Sequence, residues 1–157
     1  MSPTPSTANI DTIGFFDDLA TAMNNDPARY ELLGDIDLEL AVVMHRDDRD
    51  AFRVRLGFHG IQCQTVVEID EGEEAAAECW LEGDLEDWKA MFADIATNGR
   101  AQGPWTLNAL TLMGDRIRLE ATDPMGWDKF HRFNQTLQDF VDASANILNR
   151  EVSNASS

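Results

Sequence analysis

The feature that most constrains this chain is a change of hydrophobic period at Ile36. From there apolar residues fall at every second position, Ile36, Leu38, Leu40, Val42 and Met44, with Asp37, Glu39, Ala41, Val43 and His45 between them. Successive side chains of a strand point to opposite faces, so a period of two describes a half-buried strand. After the charged turn Arg46-Asp47-Asp48-Arg49-Asp50 the same period returns, with Phe52, Val54, Leu56 and Phe58 alternating with Arg53, Arg55 and Gly57. If Met44 faces Phe52, then Val42 meets Val54, Leu40 meets Leu56 and Leu38 meets Phe58. Both apolar sets then share one face, and the register is self-consistent. His59-Gly60 turns the chain into a third strand over 61–69, and the acidic segment 70–74 turns it into a fourth near 75–82. The pattern predicts an antiparallel meander covered on one side. A hairpin centred near Glu71 would bring Cys63 and Cys79 opposite each other. Both are read as small buried hydrophobes of a reducing compartment rather than as a redox pair.

Helical spacing flanks this sheet. Ile13, Phe16, Leu19, Ala20 and Met23 form one amphipathic face after a cap at Asn9 or Asp11, and Asp26-Pro27 with Gly34 brackets a short helix over 27–33. Asp84-Leu85-Glu86-Asp87 resembles a capping box and opens a helix striped by Leu85, Trp88, Met91, Phe92 and Ile95, ended by Asn98-Gly99. The segment 107–113 reads either as a strand, pairing Leu110 and Leu112 with Leu119 and Ile117, or as a short helix. Ile117 to Ala121 is a strand under both readings. From about Asp128 one long helix is expected, carrying Phe130, Phe133, Leu137, Phe140, Val141, Ser144 and Leu148 along one side.

Composition narrows the function classes. The 157 residues are 43% hydrophobic, enough for the core of one domain over 9–150, with short polar tails at 1–8 and 151–157 expected to be disordered. Twelve basic residues stand against 29 acidic ones, a formal charge of −17 that repels nucleic acid and anionic membranes. Such acidity serves solubility, and a salt-adapted host would also produce it. The opening Met1-Ser2-Pro3-Thr4-Pro5-Ser6-Thr7 has no basic and apolar leader pattern, and no run approaches a membrane span, so a cytoplasmic protein without a transmembrane segment is expected.

Residues for catalysis are sparse. His45 and His59 sit beside turns and read as solvated loop residues, while His131 lies off the apolar stripe of the last helix. No CxxC or i, i+4 His/Cys spacing suggests a metal site, and 99–103 lacks the phosphate-loop pattern, so no metal and no cofactor are expected. Glu68, Glu78 and Glu120 alternate with apolar neighbours, as outward strand positions do. Large soft side chains, in contrast, crowd the second half: Trp80, Trp88, Trp105 and Trp127 with Phe92, Phe130, Phe133 and Phe140, and Met91, Met113 and Met125. They either fill a core or line a ligand cavity.

The order of elements, the strand end Trp80-Leu81-Glu82-Gly83-Asp84 and the stretch Ala109-Leu110-Thr111-Leu112-Met113-Gly114-Asp115-Arg116-Ile117-Arg118-Leu119-Glu120-Ala121-Thr122-Asp123 resemble the sterol-binding domain family of sterol carrier protein 2 (SCP2) over about residues 12–148. Ala109, Gly114, Ile117 and Leu119 fit the family's segment before its closing helix. Thr122 stands where the family usually has a glycine before Asp123. The resemblance implies an α+β fold, a five-stranded, mostly antiparallel sheet with helices packed on one face, and a short helix over 107–113. It also implies a hydrophobic tunnel for a sterol, a fatty acid or a fatty acyl-CoA. It carries over no catalytic residue; the pocket positions it suggests are Trp80, Trp88, Met91, Phe92, Leu110, Met113, Phe133 and Phe140.

The leading expectation is a lipid carrier, not an enzyme, with uncharged sterol-like or neutral lipids favoured over acyl-CoA because negative charge opposes its phosphates. A small steroid- or polyketide-type isomerase or cyclase, using Glu78 or Glu120 as a pocket base, is the alternative. A third reading is an accessory subunit whose aromatic surface is taken up by a partner or by a second copy in a homodimer.

Overall fold

In the computed structural model, which describes residues 7–155, Ile36–His45 (β1) and Phe52–Gly60 (β2) pair antiparallel in the expected register, from Met44 with Phe52 to Leu38 with Phe58. Gln62–Glu68 (β3) follows antiparallel to β2, with a register slip at Gly57/Phe58. The expected tails at 1–8 and 151–157 lie outside the described residues, except for Thr7, Ala8 and residues 151–155, which belong to the last helix.

The expected meander stops at β3. Cys79–Asp84 (β4) pairs parallel with β1, Leu40 opposite Cys79 and Met44 opposite Gly83, and Ile117–Glu120 (β5) closes the sheet antiparallel to β4. The order is β3-β2-β1-β4-β5, mostly antiparallel with one parallel pair. A physical reason is visible within β1 itself: Ala41, Val42, Val43 and Met44 are all buried, so its C-terminal half is covered on both faces. Strands buried on both faces carry continuous apolar runs, and this run is the mark of an interior strand that alternation alone obscures. The chain from β3 to β4 makes no tight hairpin. Gly72, at φ 88°, leads into a 3-10 turn, Glu73–Ala76, which packs on β1, β2 and β4, and Glu74 pairs there with Arg53 at 3.3 Å. Cys63 and Cys79 are therefore not opposite each other. Three interstrand steps, about 14 Å at strand spacing, separate their strands, too far for a disulfide. Both are buried and free, as expected of small hydrophobes, and burial pushes each thiol up to about 12.

Helices Ile13–Asn24 (α1), Pro27–Leu33 (α2), Leu85–Asn98 (α3) and Leu107–Met113 (α4) form where the sequence places them, and 107–113 is a helix rather than a strand. The cap of α1 is neither Asn9 nor Asp11 but Thr12, whose Oγ1 accepts from the Phe15 N–H at 3.2 Å. Asp11 is engaged elsewhere: its Oδ2 accepts from Arg46 Nη1 and Arg49 Nη2, each at 3.1 Å, tying the segment before α1 to the β1–β2 turn. The single long closing helix is in fact three, Pro124–Arg132 (α5), Asn134–Asp142 (α6) and Ser144–Ala155 (α7), separated at Phe133 and Ala143. The first of them starts early because Asp123-Pro124 is a cap followed by an N1 proline, Asp123 Oδ1 accepting from the Met125 N–H at 2.8 Å. Each interruption is one residue, so the apolar stripe stays in phase and periodicity does not mark it. Gly126 seats α5 against β4, where an added Cβ would lie 1.9 Å from the Glu78 carbonyl oxygen. No described helix is long and apolar enough to cross a membrane.

The Asp11 clamp generates a test. Burial raises its pKa, but the hydrogen bonds from Arg46 and Arg49 outweigh burial and hold the carboxyl below its usual 3.8. A depressed carboxylate contributes stability above its unfolded pKa and loses it as pH falls through the folded one. Asp11→Asn is expected to cost about 2 kcal/mol near neutral pH. In urea unfolding the gap to the parent protein should close as pH drops below 3.8; a gap independent of pH would contradict the assignment.

Candidate functional site

The space between sheet and helices is built by side chains that face it from both sides. On the sheet, Leu38, Leu40, Val42, Leu56, Phe58, Leu81 and Leu119 point toward the helices. Helix α3 lays Trp88, Met91, Phe92 and Ile95 on them, all fully buried, and stops at Gly99 with φ 84°. The Trp88 ring stacks on Phe92 with centroids 6.5 Å apart, and its Nε1 donates to the Val43 carbonyl at 3.1 Å. The indole thus meets its one polar requirement on the central strand while its body stays in the apolar layer.

Helix α4 adds Leu107 and Leu110 from above. Thr106 caps it, its Oγ1 accepting from Ala109 N at 3.2 Å, and the Leu107 N–H donates to Gln138 Oε1 of α6 at 2.8 Å. Helix α6 contributes Phe140, edge-on to Phe58 at 5.0 Å. Trp88, Met91, Phe92, Leu110 and Phe140 are therefore all part of the one buried core between sheet and helices, and Phe133 is half-buried against it at the α5–α6 junction. The other two expected positions do not join them. On β4 the inward places belong to Cys79 and Leu81, so Trp80 lies on the outer face, where its Nε1 donates to Glu82 Oε1 at 3.0 Å. Strict alternation through Cys79-Trp80-Leu81 is the signal that would have found this. Met113 is 73% exposed beside Leu112 at 81%, because the seven residues of α4 turn only Leu107 and Leu110 inward.

The outer face of the sheet is charged. His45 is not a loop residue but the last residue of β1, with Nε2 at 2.6 Å from Glu82 Oε2. Burial raises the Glu82 pKa, but the bonds from His45 and Trp80 outweigh it and leave the carboxyl low. His59 likewise lies in β2, with Glu39 at 3.3 Å and Asp37 at 3.6 Å. His131 is exposed on α5. Glu68 is exposed on β3, Glu78 pairs with Lys129 at 2.9 Å, and Glu120 lies 3.6 Å from Arg118. Glu78 and Glu120 are set outward, as their alternation predicts, and neither faces the apolar layer; Glu68 instead pairs with Val54 and so falls on the helix-facing side of the sheet edge, because the slip at Gly57/Phe58 shifts the parity of β3. Among the described residues, no group of three or more His, Cys, Asp or Glu is arranged to hold a metal ion.

The surface clefts have different linings. Of four clefts among the described residues the most spacious, about 1020 Å³, is bounded by α1, α2, the end of α3 and the α6–α7 junction, and Asp18, Arg29, Tyr30, Asp139 and Asp142 line it. A cleft of about 470 Å³ lies beside His45 and Lys89, one of about 370 Å³ beside Arg53 and Glu68, and one of about 230 Å³ beside Glu78 and Met125. None of the eight expected pocket residues lines any of these four.

Asp142 offers a local test. Burial raises its pKa and outweighs the hydrogen bonds that Ala101 N–H and Gln138 Nε2 donate to Oδ1. A carboxyl raised in the folded state adds stability below its unfolded pKa and loses it as pH rises through the folded one. Asp142→Asn keeps Oδ1 as acceptor without the charge. Its melting temperature is expected to exceed the parent's by about 2 °C near pH 7 and to match it near pH 3. A variant less stable at neutral pH would show the charge to be useful to the fold.

No protein-family model matches the chain, and no curated protein is detectably similar to it in sequence. Solved structures do match. The crystal structure of sterol carrier protein 2 superposes with a TM-score of 0.66 at 16% identity, covering 87% of this chain and 98% of that one. The solution structure of a conserved hypothetical protein from Thermus thermophilus, described there as a candidate sterol carrier protein, gives a TM-score of 0.66 at 16% identity, covering 93% and 95%. At this level of superposition over nearly the whole of each chain, this chain has the α+β fold of sterol carrier protein 2.

Proposed function

We propose that this protein binds and carries an apolar ligand, a sterol, fatty acid or related lipid, between the sheet and helices α3, α4 and α6. The observation that carries this reading is that Trp88, Met91, Phe92, Leu110 and Phe140 all belong to the one buried apolar core, within a fold shared with a sterol carrier protein. The unbranched Met91 side chain repacks around ligands of different shape more readily than branched aliphatics, and the aromatic rings offer large apolar area, which suits a carrier. Phe133, half-buried at the margin, is the next residue a bound chain would touch. Trp80 and Met113 lie outside this wall.

Room for a ligand must come from an element that yields at low cost. Helix α4 is the candidate: it is seven residues long, holds the core by Leu107 and Leu110, and is tied to α6 by the Leu107–Gln138 bond. Each buried methylene contributes about 0.8 kcal/mol, so about eight to ten of them offer about 6–8 kcal/mol, the scale of micromolar affinity before ordering costs. The net charge of −17 favours an uncharged headgroup over the phosphates of acyl-CoA. Binding without chemistry fits the placement of Glu78 and Glu120, which are outside the layer and paired with Lys129 and Arg118.

The test is titration with a fluorescent fatty acid and a fluorescent sterol, exciting tryptophan and reading transfer to the probe. Saturable transfer with a micromolar Kd is expected for at least one probe. Leu110→Ala is expected to lower stability by about 2–5 kcal/mol and to favour the bulkier probe. Folded protein with no saturable signal for either probe would overturn the reading.

A further inference from the structure

Ser144, the first residue of α7, is 0% exposed, and its Oγ has no hydrogen-bond partner. Among the described residues, the other buried side-chain atoms without one are Arg53 Nε, Arg55 Nε, Glu78 Oε2 and Asn134 Nδ2. The first three still face an opposite charge, from Glu74 at 3.3 Å, Glu39 at 3.9 Å and Lys129 at 2.9 Å, and Asn134 is half-buried. Of these residues Ser144 alone combines complete burial with neither a hydrogen bond nor an ion pair. Buried hydroxyls are nearly always partnered, and leaving one bare is costly to the fold. A serine within a helical run usually bonds the carbonyl one turn earlier, and one heading a helix usually accepts from a backbone N–H two or three residues on. Ser144 does neither.

The surroundings of this hydroxyl are those of the apolar core. The junction residue Ala143, at φ −61° and ψ −19°, keeps the helical phase from α6 into α7. Leu137, Val141, Ser144 and Leu148 therefore share one buried stripe, with Phe140 one turn before Ser144. Phe140 is edge-on to Phe58 of the sheet at 5.0 Å. Helix α7 packs on α3, where Asn149 Nδ2 donates to the Ala96 carbonyl at 3.2 Å. The same helical run is tied to α4, because Gln138 accepts from the Leu107 N–H. Ser144 lies beyond Gln138 by about 9 Å of helix axis.

We propose that Ser144 is the polar anchor of the carried ligand, and that this ligand is a lipid with an uncharged hydroxyl head, a long-chain or sterol-like alcohol. The inference rests on the lipid reading above: the ligand enters where α4 yields, lies along α6 and brings its head to Ser144 Oγ. Two hydroxyls suit each other because each can donate and accept, so one contact satisfies both in an interior with no other polar group to spare. A carboxylate head fits worse. It would be a buried charge with one neutral partner, and Asp142, two residues before Ser144, carries the same sign.

Equilibrium dialysis of the full chain against radiolabelled dodecan-1-ol, dodecane and dodecanoate, for the parent and for Ser144→Ala, tests the proposal. The parent is expected to bind the alcohol and the alkane. Ser144→Ala is expected to weaken the alcohol about threefold to tenfold and to leave the alkane unchanged. The unliganded variant is expected to melt about 2–4 °C above the parent, since it loses a hydroxyl that bonds to nothing. A lower melting temperature would overturn the proposal by showing the hydroxyl to be used within the fold. Equal weakening of alcohol and alkane would overturn it by making Ser144 a wall residue, and no weakening of either would overturn it while leaving the lipid reading intact. Tighter, Ser144-dependent binding of dodecanoate would overturn it in favour of a carboxylate head. Binding of none of the three by the parent would overturn the lipid reading and the anchor with it.

Discussion

Strand β1 is closed to water in every direction from Ala41 to Met44. Its edges hydrogen-bond to β2 on one side and β4 on the other, Leu40, Val42 and Met44 face the helices, and Ala41 and Val43 are buried beneath the outer face. Such a strand needs a cover on both faces, and the chain supplies each from the segment that follows β3. The 3-10 turn Glu73–Ala76 lies over the outer face with Glu74 against Arg53, and α3 lies over the inner face with Trp88 bonded to the Val43 carbonyl. The same backbone thus holds the sheet together and orients the largest side chain of the apolar layer.

The two sheet faces divide the work. Inside, the layer holds Trp88, Met91, Phe92, Leu110 and Phe140 with no charged group among them, and the polar atom of Trp88 is satisfied by backbone. Outside, His45 is hydrogen-bonded to Glu82 and His59 to Glu39, and Arg118 pairs with Glu82. Bare acidity is thereby kept away from the apolar side of the sheet, and the four aspartates of the helical cleft lie on a third surface of the molecule.

Much of this was legible in the residues. The β1–β2 register followed from apolar sets that only one alignment puts on one face, and α1 to α3 followed from spacing, caps and glycine stops, whereas periodicity left 107–113 open between strand and helix and only the family resemblance implied the helix. What failed did so for identifiable reasons. The parallel pairing of β4 was hidden because Ala41 and Val43, small and apolar, were read as the exposed half of an alternation. The interruptions at Phe133 and Ala143 do not break the helical phase, so the hydrophobic stripe carries no trace of them. Among the expected pocket residues, size misled at Trp80: a tryptophan looked like a wall, whereas the parity of its strand assigned the inward place to Leu81. The polar cleft went unseen because its members come from α1, α2, α3, α6 and α7, and no local spacing joins Tyr30 to Asp142.

The parallel insertion of β4 also makes the two pairings of β1 unequal in chain entropy. Met44 and Phe52 are eight residues apart along the chain, whereas Leu40 and Cys79 are 39 apart. Closing the longer loop costs about 1.4 kcal/mol more in chain entropy. On loop-closure cost alone the β1–β2 hairpin is the cheaper pairing to form, and the β1–β4 pairing, with Trp88 just beyond it, is the costlier one. The half of the molecule joined by this long-range pairing is the half that contains Trp88 and the rest of the aromatic face of helix α3.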